Sequence, residues 1–321
     1  MLKILYAAGD NLNSKIQLWR FFHVMKDVPC QIKLAAYKKS SPNLNIDWTL
    51  DSLLNPNRPQ SLSLNNDNVH IYYEQIKFYN PDLIISDLDY FTSYIANQLN
   101  ITLWQCSSLL INFALTHKSK YNAGLSNQYL NLLKQDSENY QKIINIIHNS
   151  NLNLVYSHFG DTSNPPQLKE GFEWIRPYHE IGKEYKPCEH EMVAGLIDNN
   201  NKIFSFMKNQ KDCVVFSEYP YETHKNITMK SIWNSEDYYC NIYNSKMFVC
   251  EGQTSFLADA FYNKKHSLLF TNYNNLECIT NSLYSNHLGL SKPYQQDKVL
   301  KPIDIKMNDG IQYLHQKIKD L

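Results

Sequence analysis

The chain has 321 residues, 31 Lys+Arg against 31 Asp+Glu, 43% hydrophobic and 19% charged residues, with 23 Tyr and 14 Phe. That length supplies two hydrophobic cores and excludes a small stapled module, and the apolar and aromatic content excludes a disordered chain. A formal net charge of zero excludes an overall field drawing the chain to nucleic acid or an anionic membrane, leaving a local basic patch open.

The apolar run Leu2–Ala8 turns polar within ten residues and predicts a first strand, not a signal peptide or membrane span. A polar loop Gly9–Ser14 and an amphipathic helix Lys15–Met25 complete a first βα unit. Gln31–Ala36, Pro81–Ser86 and Ile101–Gln105 read as further strands, continuously apolar and therefore buried on both faces. The Asn-, Ser- and Pro-rich span Ser41–Val69 shows no periodicity and carries no assignment. Lys118–Ser150 reads as helical and Leu152–Ser157 as the last strand of a first domain, after which GDTSNPP, Gly160–Pro166, breaks the pattern.

An irregular aromatic stretch leads into a second alternating series. His190–Ile197, Cys213–Ser217, Ile227–Lys230, Met247–Cys250 and Ser267–Phe270 read as strands. Lys202–Lys208, Glu236–Ile242, Thr254–Asn263, Asn275–Asn286 and Asp309–Lys319 read as helices. The expected fold class is α/β, two doubly wound Rossmann-like domains facing across a cleft. The expected division is an N-terminal domain 1–165, a linker 166–189 and a C-terminal domain 190–321 whose last helix can cross back. Seven cysteines, odd in number and without a CxxC pair, suggest reduced thiols and no zinc site. The expected location is cytoplasmic. Only three of the 31 basic residues are arginines, which with abundant Asn, Ile and Tyr points to an A/T-rich bacterial or viral genome.

Ligands of open α/β sheets bind beyond the carboxyl ends of the strands, so the loops there hold the candidates. The foremost is CEGQTSFLADAF. Gly252 allows close backbone approach, Gln253, Thr254 and Ser255 offer polar groups, and the helix that begins there presents free N–H groups to an anion. Asp259, one turn in, is placed for a ribose diol; a helix cap and a dipole-complementing carboxylate are the alternative reading. The next loop brings Glu277, Cys278 and Asn281, side chains suited to sugar hydroxyls.

The run from Phe248 to Leu290 resembles the nucleotide-sugar segment of GT-B glycosyltransferases, the MurG-like and UDP-glycosyltransferase group. The resemblance implies a diphosphate at Gly252 and Thr254 or Ser255, a ribose on Asp259 and the transferred sugar on Glu277, with Asn281 nearby. The chain departs from that pattern at Glu251 for the first glycine, Asp259 for the ribose Glu, Lys264-Lys265-His266 for Gly-Lys-Pro, and Cys278 for the sugar-binding Gln. ILYAAGDNLNSKIQLWRFFHVMK and PDLIISDLDYFTSYIANQLNITLWQ resemble the family's amino-terminal segments more weakly.

The resemblance implies an inverting, metal-independent transferase with no cofactor, which uses a nucleotide sugar, UDP-linked by expectation, as substrate. No loop His stands in the first unit, so Asp10 is the expected base, with Asp87 and Asp89 as rivals and helix capping as the alternative role. Asn11, Asn13, Ser14, Asp87 and Asp89 are the acceptor-side candidates, and Arg176 is a further donor-side candidate with a linker salt bridge as its other reading. His158 is a candidate cleft residue or a structural one. The acceptor is a saccharide, a small molecule or, from the phage-like composition, a hydroxymethylated DNA base. A UDP-sugar 2-epimerase and a degenerate nucleotide-binding subunit are the competing readings.

Overall fold

The computed structural model describes residues 1–9, 13–37, 45–50, 67–125, 137–177, 190–196, 201–218, 225–233, 235–273, 275–294, 300–305 and 310–321. The first half builds a parallel seven-stranded sheet in the order β3-β2-β1-β4-β5-β6-β7. Its strands are β1 (Leu2–Ala7), β2 (Cys30–Ala36), β3 (Trp48–Thr49), β4 (Leu83–Ser86), β5 (Thr102–Ser107), β6 (Leu152–Tyr156) and β7 (Phe172–Ile175). The second builds a parallel six-stranded sheet, β10-β9-β8-β11-β12-β13, from β8 (Met192–Leu196), β9 (Cys213–Ser217), β10 (Ile227–Ser231), β11 (Met247–Cys250), β12 (Ser267–Leu269) and β13 (Ser291–Pro293). In both, the order runs outward from one strand and then reverses, at β1/β4 and at β8/β11. Such a reversal leaves a crevice at the strand ends because flanking connections depart to opposite faces.

Helices α1 (Asn13–Met25), α2 (Asp67–Tyr79), α3 (Tyr90–Leu99), α4 (Ile111–Ala114), α5 (His117–Asn122) and α6 (Ser137–His148) accompany the first sheet. Helices α7 (Asn201–Met207), α8 (Ser235–Asn244), α9 (Thr254–Tyr262) and α10 (Leu276–Leu288) accompany the second. The last helix, α11 (Gly310–Lys319), inserts Leu314 and Ile318 into the core of the first sheet, and Lys317 bonds Glu173 of β7. Among the described residues no helix is long and apolar enough to cross a membrane.

Helix α1 explains how the halves are joined. Leu18, Phe21, Val24 and Met25 enter the first core, whereas Ile16 enters the core formed by Val214, Phe248 and Phe256 of the second half. A helix that is apolar on more than one side belongs between layers. Leu110 and Phe159 likewise share one apolar cluster with Phe261 and Ile279, so the two halves close on each other through a continuous core.

Several expectations are corrected. Trp48–Thr49 of the unassigned span pairs with β2, where Trp48 meets the rings of Tyr72 and Tyr79. Phe172–Ile175, expected in the linker beginning at residue 166, is instead the seventh strand of the first sheet, because Asn153–Tyr156 offers a free edge and takes it in register. Strand β13 was not anticipated; three residues are too few to show periodicity. Cys30, Cys106, Cys213, Cys250 and Cys278 are free, but Cys240 is disulfide-bonded, against the expectation of reduced thiols throughout.

Candidate functional site

The crevices of the two sheets face each other. On the first side, Gly9 follows β1, Ser14 lies in the first turn of α1, Asp87 follows β4 and Ser107 ends β5. A side chain at Gly9 would bring its Cβ to 2.7 Å from the Asp87 carbonyl oxygen and 2.9 Å from Ser14 Oγ, so the absence of one lets these groups converge. Asp87 is 4% exposed, and its Oδ2 accepts a 2.5 Å hydrogen bond from Ser14 Oγ. Burial lifts its pKa from 3.8 to about 6; hydrogen bonds from Ser107, Ser14 and the Gly9 N–H oppose this, and the negative charge of Glu277 from the other half adds to it.

The turn after Asp87 is strained. Leu88 sits at φ 56, a conformation that disfavours a branched side chain, and its N–H donates to Gln105 Oε1 at 3.2 Å. Gln105 in turn donates to Ser93 Oγ at 2.9 Å. Asp89, two residues on, caps α3 by accepting from Thr92 N–H, and accepts from Tyr37 Oη at 2.7 Å. Asp89, expected on the acceptor side, thus serves as the cap of α3, while Asp87, whose fixed bonds come from hydroxyls and one backbone N–H, stays at the crevice.

On the second side, Gly252 has φ +105, which turns the chain from β11 into α9. Asn281 Nδ2 donates to the Gly252 carbonyl at 3.0 Å and to Thr254 Oγ1 at 2.9 Å. Gln253 Nε2 donates to Glu251 Oε2 at 2.9 Å. Glu277 Oε1 accepts from the Thr254 N–H at 3.0 Å, so a carboxylate already occupies one of the free donors expected to receive an anion. Gln253 Oε1, Asn281 Oδ1 and Ser282 Oγ, in and beside this loop, are buried without a hydrogen-bond partner among the described residues. Cys278 lies in the first turn of α10, its N–H held by Asn275 Oδ1, and burial pushes its thiol pKa up.

Asp259 is not at an open mouth. Its carboxylate, with no side-chain exposure, pairs with Arg20 of α1 at 2.6 Å and accepts from Tyr238 Oη at 2.7 Å; Arg20 also donates to the Ser255 carbonyl at 3.3 Å. Burial works against the Arg20 charge, but the Asp259 carboxylate together with Tyr239, Tyr156 and Tyr238 outweighs it and holds the guanidinium pKa above its ordinary value. Asp259, the residue expected at a ribose, thus forms an ion pair between the halves. Lys15 pairs with Glu218, Tyr262 Oη donates to Asp161 Oδ2 at 2.6 Å, and Thr280 Oγ1 bonds Asn112 across the same junction. Arg176 ends beside β7 with its Nε 4.0 Å from Asp161, the salt-bridge reading of that residue. His158 is buried between Phe159 and Phe261, and burial lowers its pKa to about 3, so it is a neutral packing residue.

Asp10 and Asn11 lie outside the described residues, as does the side chain of Asn13. Sequence reading missed Ser107, Gln105 and the Arg20–Asp259 pair. An arginine inside the apolar pattern of α1, in a chain that otherwise uses lysine, was the available signal for the last.

No protein-family model and no curated protein sequence matches the chain. Solved structures do match. The glycosyltransferase SsfS6 of Streptomyces sp. SF2575 is 9% identical, over 91% of this chain and 88% of that chain, with a TM-score of 0.55. The spinosyn rhamnosyltransferase SpnG is 9% identical over 100% and 90%, with a TM-score of 0.60, and MurG of Acinetobacter baumannii is 9% identical over 100% of each chain, with a TM-score of 0.57. SsfS6 and SpnG are also known in complex with thymidine diphosphate. The chain has the two-domain GT-B fold of these proteins.

Proposed function

We propose that the chain is an inverting, metal-independent glycosyltransferase that moves a sugar from a nucleoside-diphosphate donor to an acceptor hydroxyl. The observation that carries this reading is the opposition of Asp87, a buried carboxylate with a pKa of about 6, to the Gly252–Glu277 cluster across the junction of the two sheets. A base with a pKa near neutrality is suited to accept a proton and remain largely ionised at pH 7. Asp87 takes the proton of the acceptor hydroxyl, whose oxygen bonds to the anomeric carbon as the bond to the diphosphate oxygen breaks. The leaving charge falls on the N-terminus of α9 at Gly252, Thr254 and Ser255, where helix N–H groups take the place of a metal. Glu277 and Asn281 face the sugar. The thymidine diphosphate complexes of SsfS6 and SpnG support a pyrimidine nucleotide, uridine or thymidine, in the donor.

Gly252, Gln253, Thr254 and Ser255 are all buried, so the reading requires the halves to part before donor binds, with Glu277 leaving the Thr254 N–H. The acceptor carries a free hydroxyl, on a saccharide or small molecule; duplex DNA with hydroxymethylated bases is one arm of the acceptor screen. One observation favours a second reading, a nucleotide-site relic that transfers nothing: Glu277 and Arg20 already occupy the groups a donor would need.

Thermal unfolding with UDP, dTDP, GDP and CMP separates the two. A ligand held at about one hundred times its Kd stabilises the native state by about 2.7 kcal/mol. The transferase reading expects such a shift with UDP or dTDP, and turnover that falls at least about a hundredfold in Asp87→Asn while the shift is kept. No shift with any nucleotide, or unchanged turnover in that variant, overturns it.

A further inference from the structure

In the N-terminal half a cavity of about 400 Å³ opens between α4, α5, α6 and the segment entering β7. Its walls are Phe113, Tyr140, Ile144 and Phe172, the first two in ring contact at 5.8 Å. Lys120 and Lys169 also line it, with Glu170 and His148. Lys120 Nζ is anchored by the Asn112 carbonyl at 3.0 Å. Neither lysine makes an ion pair with a described residue, and the two are close enough that, after burial, the charge of Lys169 is the next cause lowering the Lys120 pKa to about 8. Two neighbouring ammonium groups at one cavity make each other costlier, and an anion between them turns that repulsion into attraction.

An apolar cavity with a few convergent polar groups is the common form of a small-molecule site, and this volume lies in the usual range. We propose that this cavity binds a small organic acid, its carboxylate between Lys120 and Lys169 and its hydrocarbon body against Phe113, Tyr140, Ile144 and Phe172. The carboxylate takes charge-assisted hydrogen bonds from the two ammonium groups, while the body is removed from water. The site does not rest on the transferase reading, since it shares neither Asp87 nor the Gly252 loop.

Calorimetric titration with octanoate, with octan-1-ol as its neutral twin, tests the assignment. Octanoate binds at a single saturable site, and octan-1-ol binds at least about tenfold more weakly, the factor expected when a charge-assisted bond is lost. Lys120→Gln and Lys169→Gln each weaken octanoate at least about fivefold, and Ile144→Trp, which fills the cavity, abolishes binding. Lys169 is exposed and makes no ion pair with a described residue, so its variant reads the site even if the others unfold. Absence of octanoate binding to the wild-type chain, equal affinity for the alcohol, or undiminished binding in Lys169→Gln overturns the proposal.

Discussion

Replacing Asp87 by Asn removes the charge that the crevice penalises and keeps the shape. The carboxyl pKa stands at about 6 in the folded chain against 3.8 for an ordinary aspartate, so the native state holds the proton more tightly than the unfolded one. The stability from that preference is complete below the ordinary value, declines as pH rises through about 6, and is gone above it. The difference corresponds to about 3 kcal/mol at 1.36 kcal/mol for each pKa unit. An asparagine is neutral at every pH, and its single carbonyl acceptor serves Ser14 or Ser107 but not both as well as a carboxylate does. That loss, about 1 kcal/mol, does not vary with pH and leaves the slope intact. Urea unfolding of both proteins between about pH 4 and pH 7 is the assay, and the variant is expected to gain about 2.5 kcal/mol on the wild type across that interval. Parallel stability curves, or a wild type that gains on the variant as pH rises, would refute the argument that burial dominates the Asp87 environment.

Arg20→Met leaves the Asp259 carboxylate buried without its guanidinium and is expected to cost about 3–5 kcal/mol in chemical denaturation, with most of the loss restored in the Arg20→Met/Asp259→Leu double variant. A cost below about 1 kcal/mol for the single change would mean that the junction opens to water there. Gly252→Ala forces an L side chain to φ +105 with its Cβ 2.5 Å from Ser282 Oγ and 2.8 Å from the Cys278 carbonyl oxygen. It is expected to lower stability by about 2 kcal/mol or more, and Ser282→Ala should not restore it, because the backbone carbonyl remains in the way.

The sequence by itself determined the class of fold. Uninterrupted apolar runs such as Leu83–Ser86 and Cys213–Ser217, separated by amphipathic segments, have few arrangements open to them besides parallel strands covered on both faces. It also pointed to the Gly252 loop, since a glycine between a buried strand and a helix is a local feature and its φ of +105 a local requirement. Short edge strands such as Trp48–Thr49 and Phe172–Ile175 were out of reach because their stability comes from the neighbouring strand they pair with. The roles of individual acids were decided only by tertiary structure. Asp87, Asp89 and Asp259 are the same residue type in comparable positions near strand ends or helix starts, yet one is a buried carboxylate at the crevice, one caps α3 and one pairs with Arg20 of the other half. The reason is that desolvation and Coulomb energy depend on which groups lie within a few ångströms in space: burial by the whole fold sets the Asp87 environment, and Arg20, the partner of Asp259, is 239 residues away along the chain.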